Sequence, residues 1–287
     1  MPKKPEPMLR RTLLNDIIFK IVFGSPKNER LLRSLLNAIL ELEGEDKIVQ
    51  LSLLANDVGK AYHDEKGAIL DVRARDGHNR QYNIEVQLKE QTSYIQRSLF
   101  YLSKLYSEQL ERGRKYGDLR RTVAISILEF PLFPDLAGLH TRFRFCDPRH
   151  NLELSDILEI HYLELSKFRR DQPLLTPLEK WLHVLRFAEL YESGVVPLPA
   201  PIQREEEMIM ALDAMHNAYS DDEVRLLIEA RLRAEWDENT RLHEAMEKGE
   251  AKGEAVGEAR ARLEVAQKMA KSGIDAETIL DITGVQL

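Results

Sequence analysis

Between Ile69 and Leu88 the chain reads I-L-D-V-R-A-R-D-G-H-N-R-Q-Y-N-I-E-V-Q-L, and the alternation within it decides the fold. Two alternating runs flank a polar knot at Asp76 to Asn79. The pattern predicts a β-hairpin with Leu70, Val72 and Ala74 on one face, beside Tyr82, Ile84 and Val86. Side chains alternate along a strand, so Asp71 falls on the other, polar face with Asn83, Glu85 and Gln87. Residues directly across a ladder point the same way. Pairing Asp71 with Glu85 therefore sets Val72 opposite Ile84 and Leu70 opposite Val86. The loop is then three residues if Asp76 pairs Arg80, or five if Arg75 pairs Gln81. Two carboxylates about 5 Å apart at an effective dielectric of roughly 20 repel by roughly 3 kcal/mol. This register demands a positive group between them, either a divalent metal or Arg73 and Arg75 from the same face.

Upstream, Thr12 or Asn15 can cap a helix carrying Ile17, Ile18, Ile21 and Val22, which ends at Gly24-Ser25-Pro26. Asn28 can cap a second helix with a stripe of Leu31, Leu32, Leu35, Leu36 and Ile39. Ile48 to Leu54 reads as a strand. Downstream of the hairpin come an amphipathic helix from about Ser93 to Arg112, stopped at Gly113, and a buried strand over Thr122 to Phe130. Helix, three strands, helix, strand is an α/β or α+β order. Past Pro131, Phe143 to Phe145 and Ile157 to Leu165 read as a strand pair. Helices over Pro177 to Ser193 and Glu205 to Tyr219 follow, joined by the stiff V-P-L-P-A-P run at 196–201. From Asp222 to Ser272 the chain is charged and helical, with Gly249, Gly253 and Gly257 inside it. Each glycine costs about 1 kcal/mol relative to Ala, so the helix either frays there or packs its small face on a neighbour. Gly273 is a stop, and a short helix lies between Asp275 and Gly284.

These blocks resemble a family. Asp71, a hairpin and Glu85-x-Gln87, preceded by D-I-I-F-K-I-V-F-G (Asp16 to Gly24) and followed by R-S-L-F-Y-L-S-K-L-Y (Arg97 to Tyr106), are similar to the Rpn group of PD-(D/E)XK nucleases, recombination-promoting nucleases or transposases. The likeness continues through L-E-I-H-Y-L-E-L-S-K (Leu158 to Lys167) and covers most of the chain. It implies a restriction-endonuclease-like αβββαβ core at 9–135, a strand pair with helical extension at 136–235, and a Gly-punctuated helical tail at 236–287. It also implies a Mg²⁺-dependent (or Mn²⁺-dependent) DNA endonuclease linked to recombination or mobile DNA. Asp71 and Glu85 would be the metal ligands, with Asp16 as a further one. Hard oxygen ligands suit an ion that keeps several waters and completes its shell with a phosphodiester. Gln87 stands where the wider superfamily usually has Lys, as in the Rpn variant. An amide can orient a water but cannot take its proton. Asp16 also sits one helical turn from Lys20, its i,i+4 partner. Arg97 and Tyr101, one turn apart, can contact phosphate or form a surface pair. The rival reading is a catalytically weak or inactive nuclease-fold module that grips DNA or a protein partner.

Composition sets the boundaries. The net charge is -7, yet residues 1–130 carry 22 Lys and Arg against 18 Asp and Glu, a balance of +4, and the remainder carries 19 against 30, a balance of -11. The half with the carboxylates is thus the half suited to phosphate. The single Cys146 excludes an internal disulfide framework and fits a reducing cytoplasm. No apolar run approaches a membrane span, and the M-P-K-K-P-E-P start has no secretory apolar core. The histidines show no zinc-binding spacing. The segment from Met269 to Val285 resembles the opening of a helix-turn-helix but has no recognition helix before Leu287. Self-association through the C-terminal helices, or partner docking, is expected there ahead of base readout.

Overall fold

A computed structural model describes residues 11–54, 72–110, 113 and 115–287. Helix α1 (Asp16–Phe23) begins where the Asn15 side chain accepts from the backbone N–H groups of Ile17 and Ile18 at 3.1 and 3.2 Å. That is the capping expected of this residue. Helix α2 (Glu29–Ile39) starts differently from expectation. The Asn28 side chain makes no capping bond, because Asn28 closes a 3-10 turn over Pro26–Asn28 at φ -112, ψ 17 and is not extended. Strands β1 (Leu51–Leu53), β2 (Val72–Asp76) and β3 (Gln81–Gln87) follow. Helix α3 (Tyr94–Ser107) is shorter than the pattern suggested, and it leads to β4 (Thr122–Leu128). Then come β5 (His140–Asp147), β6 (Leu152–Glu164), α4 (Pro177–Phe187) and α5 (Glu206–Ser220). The chain closes with α6 (Asp222–Lys271) and α7 (Ala276–Thr283).

The six strands form one mixed sheet in the order β1-β2-β3-β4-β6-β5. β1–β2, β2–β3 and β5–β6 are antiparallel, while β3–β4 and β4–β6 are parallel. The strand pair after Pro131 therefore extends the sheet that the hairpin begins. β4 is buried along its whole length, as its apolar run required of a central strand. α3 makes the parallel crossover from β3 to β4 and covers one face through Tyr94 and Leu102 against Ala124, Leu128, Ile160 and Tyr162. α1 packs on α5, α2 and β3, and α2 on α4, α5 and β1.

The chain divides into two compact units, Met1–Arg225 and Leu226–Leu287. In the second, α6 runs unbroken through Gly249, Gly253 and Gly257, and a Cβ at any of the three would meet nothing within 4 Å. Gly273, at φ +84, ends the helix in a conformation that suits glycine, and the Asp275 side chain caps α7 through Thr278 N at 2.9 Å.

The hairpin register pairs Val72 with Ile84, as the alternation demanded, and its last pair is Arg75 with Gln81, the five-residue one of the two loops the alternation allowed. Leu70 and Asp71 lie outside the described residues. The turn is built around Asp76. Its Oδ1 accepts from the backbone N–H of His78 and Arg80 at 2.9 Å, and its Oδ2 from Arg80 Nε at 2.5 Å and Tyr82 Oη at 2.8 Å. A buried carboxylate with four donors is tolerated because its lone pairs are satisfied. Replacing Asp76 with Ala leaves a guanidinium and a hydroxyl without partners, and we expect a loss of about 3 kcal/mol in urea unfolding. A loss under about 1 kcal/mol would show that the turn does not depend on this carboxylate.

Candidate active site

Glu85 and Gln87 are two apart on β3, so both point to the face that α3 covers. The parallel register sets Glu85 beside Ser126 of β4, and Ser126 beside Tyr162 of β6, so one row crosses three strands. On α3, Tyr94, Arg97, Ser98, Leu102 and Leu105 fall at three- and four-residue spacings, and this stripe turns toward the sheet.

Arg97 joins the helix to the strand. Its Nη2 donates to Glu85 Oε1 at 2.5 Å and to Gln87 Oε1 at 3.0 Å, and its Nη1 donates to Gln91 Oε1. The Gln87 amide is fixed from its other end, where Nε2 donates to the Lys89 carbonyl at 2.9 Å. The guanidinium lies over the Tyr94 ring, 4.9 Å from its centroid, a cation–π contact. Glu85 is only 7% exposed. Behind it, Tyr162 Oη and Ser98 Oγ are 2.6 Å apart, and Tyr94 packs edge-on to Phe130 and Tyr162. The Tyr94 hydroxyl is buried without a well-formed hydrogen bond. Burial, and then the nearby Glu85 charge, push its pKa well above the ordinary phenol value, so it stays protonated; the Ser126 hydroxyl acts weakly in the opposite direction.

Of the residues singled out in the sequence, the structure brings together Glu85, Gln87 and Arg97. The cation at Glu85 comes from α3. Arg73 instead meets Glu108 at 3.4 Å. Tyr101 stacks edge-on to Phe100, 5.6 Å between centroids. Asp16 occupies the first turn of α1, where its Oδ1 accepts from Ile17 N at 2.9 Å, and Lys20 lies in the last turn of the same helix. Asp71 is outside the described residues. Tyr94 and Ser126 were missed by the sequence reading. Tyr94 is three residues before Arg97, and Ser126 is the one polar residue after Thr122 in T-V-A-I-S-I-L, so spacing alone could have flagged both.

A mixed sheet with a helical crossover and a buried Glu-x-Gln late in the strand where pairing turns from antiparallel to parallel defines a restriction-endonuclease-like α/β protein. A family model described as PD-(D/E)XK nuclease family transposase matches residues 13–245, and the chain belongs to that family. No curated protein and no solved structure matches it. The membership carries a nuclease kind of role, and nucleases of this superfamily generally use divalent metals. The donor set fits such an ion: a carboxylate oxygen and an amide oxygen converge on one positive nitrogen, as hard donors do around a cation. Among the described residues no group of three His, Cys, Asp or Glu side chains is placed to hold a metal, and no helix is long and apolar enough to cross a membrane.

A second ionic cluster lies on the opposite face. Glu159 and His161 alternate with Tyr162 along β6, so they point away from α3. Glu159 Oε2 accepts from Arg121 Nη2 at 2.8 Å and from Arg144 Nε, and its Oε1 lies 2.5 Å from His161 Nε2. His161 Nδ1 lies 2.8 Å from His140 Nε2, with the rings stacked. An ionised Glu159 accepts the His161 Nε2–H, which leaves Nδ1 to accept from His140. Burial works against the Glu159 charge, but His161, Arg121 and Arg144 outweigh it and hold the pKa at about 2. Burial, then His161 and Arg142, lower His140 to about 4, against a weaker pull from Glu159. Both folded values lie below the ordinary ones, so the unfolded chain takes up each proton first as pH falls. We expect stability to drop between pH 6.5 and 4 through His140, and from about 4.5 toward 2 through Glu159. Urea midpoints across this range check it. His140→Gln should flatten the upper limb by about one proton, and an unchanged slope would place the effect elsewhere.

Proposed function

We propose that this chain is a metal-dependent DNA endonuclease that hydrolyses phosphodiester bonds in recombination or in mobile DNA, within a reducing cytoplasm. The convergence of Glu85 and Gln87 oxygens on one cation, in a chain of this nuclease family, supports the reading. Asp71 and Glu85 would hold Mg²⁺ or Mn²⁺, with Asp16 assisting. A bound ion would supply Lewis-acid stabilisation of charge on the attacked phosphoryl group. The protein's own residues do the rest. The Gln87 amide is oriented at both ends and aims its oxygen into the site, where it positions water without taking a proton. The Tyr94 hydroxyl is a protonated donor at the pocket wall, and Arg97 supplies a permanent positive charge for phosphate. Lys20 and Tyr101 are accessory candidates on the flanking helices.

The Arg97 contact also favours a second reading. Glu85 already has a counter-ion, as suits a nuclease fold that grips DNA or a partner without cutting. Plasmid nicking in Mn²⁺ separates the two. Under the first reading, Glu85→Gln should lower cleavage by roughly 10³-fold, because a ligand to the charge-stabilising ion is lost. Gln87→Ala should lower it by about 10- to 100-fold, since water ordering is only part of the barrier. Wild-type nicking by purified Glu85→Gln would end the assignment of cleavage to this site.

Self-association through the C-terminal helices belongs to the same proposal. Leu242, Gly249, Val256 and Leu263 recur every seven residues along α6, and the three larger side chains are exposed. A seven-residue apolar repeat suits a partner helix. Light scattering on the full chain should give a multiple of 33.2 kDa, and Val256→Asp should lower it toward one chain. A single-chain mass for the wild-type protein would contradict the idea.

A further inference from the structure

We propose that Arg97 is a movable counter-cation. It holds Glu85 and Gln87 while the divalent ion is away, and it passes to a phosphate oxygen of the nucleic acid when that ion takes its place. The inference rests on the metal-dependent nuclease reading and adds a residue that governs when the site accepts its ion.

The geometry requires competition. Arg97 Nη2 sits 2.5 Å from Glu85 Oε1 and 3.0 Å from Gln87 Oε1, so the guanidinium fills the place toward which both oxygens point. A divalent cation on the same carboxylate oxygen would face a fixed positive charge at contact distance, and Arg cannot relieve that by losing a proton. One of the two cations must give up that oxygen. Arg97 is the one able to move, because its side chain is 25% exposed, springs from the first turns of α3 and rests on the Tyr94 ring, a surface along which a flat cation can shift.

Arg97 is also incompletely used where it stands. Nη2 spends its two hydrogens on Glu85 and Gln87, while the buried Nε–H has no acceptor among the described residues. A guanidinium presents donors in a planar fork, and a phosphate offers paired oxygens that match it. Released from Glu85, the Nε–H and an Nη–H can together take such a group. The acceptor is thus a phosphodiester oxygen of the nucleic acid, the anion that the nuclease reading brings to the same pocket.

The test measures metal binding separately from cleavage, on the full chain. Mn²⁺ is titrated without DNA into wild type, Arg97→Met, Arg97→Lys, Glu85→Gln and Arg97→Met/Glu85→Gln, by the loss of the free-ion paramagnetic signal. Removing the competing charge should tighten Mn²⁺ binding by about tenfold or more in Arg97→Met. Adding Glu85→Gln should abolish that gain, and Arg97→Lys, which keeps the charge, should stay near wild type. Arg97→Met should at the same time lose DNA affinity and nicking. Metal affinity and DNA handling then move in opposite directions, whereas a residue that merely braces the fold would weaken both. Equal or weaker Mn²⁺ binding by Arg97→Met overturns the proposal, and if wild type still nicks plasmid the nuclease reading stands without it. If neither wild type nor Arg97→Met binds Mn²⁺ or nicks, both fall. Should Arg97→Met not fold, Arg97→Lys decides, because tenfold tighter binding with its charge intact would refute charge competition.

Discussion

The parallel register of β3, β4 and β6 governs where the buried charges Glu85 and Glu159 lie. β3 runs in phase with β4, and β4 with β6, so Glu85, Ser126 and Tyr162 form a row under α3 while Glu159 and His161 face the other way. A shift of one residue in β3 would carry Ile84 and Val86 beneath Arg97 and drive Glu85 into the opposite face. The register is held by the apolar half of the pattern, since Val72, Ile84 and Ile125 are almost fully buried. The hydrophobic pattern thus fixes the address of the polar site, although the apolar residues never touch its chemistry.

Among the described residues each buried acid has positive or donor partners, Glu164 through Lys167 and the Phe133 N–H, because an unpaired charge out of water costs several kcal/mol. The manner differs from site to site. Asp76 is satisfied within its own hairpin, by groups no more than six residues away, and Glu159 by Arg and His side chains from the residue before β4, from β5 and from its own strand. These are ties within the sheet. Glu85 takes its cation from a helix, across a gap that opens partly to water, and that cation is shared with a neutral amide. Two of these clusters hold strands together, and the third joins a strand to the helix that covers it.

Much of this was legible in the sequence. Alternation gave the hairpin, its register and the polar face of β3, because period two is imposed by the pleat itself. Opposed carboxylates called for a positive group; Asp71 lies outside the described residues, and at Glu85 the positive group is Arg97. That partner was not readable, since Arg97 lies ten residues beyond Gln87 and reaches Glu85 only through the angle at which α3 crosses the sheet. Arg73, on the neighbouring strand, looked closer but turns to Glu108 at the end of α3. The Glu159 cluster has a related cause: its arginines come from the residue just before β4 and from β5, and only the tertiary pairing of β6 brings them to one carboxylate. Asn28 shows the local counterpart, a good capping residue displaced from that role by the 3-10 turn that Pro26 starts.

The exchange of a strand lysine for Gln87 gains a physical sense once Arg97 is in view. A Glu-x-Lys strand carries its cation beside the carboxylate, on the same backbone, with an amine that can give and take a proton. Here the formal charge is the same, one acid and one base, but the base has moved to α3 and become a guanidinium. That change removes proton transfer from the cation altogether, since Arg stays charged at any pH the fold survives. Under the proposed nuclease function it would also separate two duties that one lysine combines: the orientation of water would fall to the Gln87 amide, held at both ends, and the charge facing phosphate to a side chain long enough to travel. A site built this way depends on the placement of α3 for its electrostatics and on β3 only for its geometry.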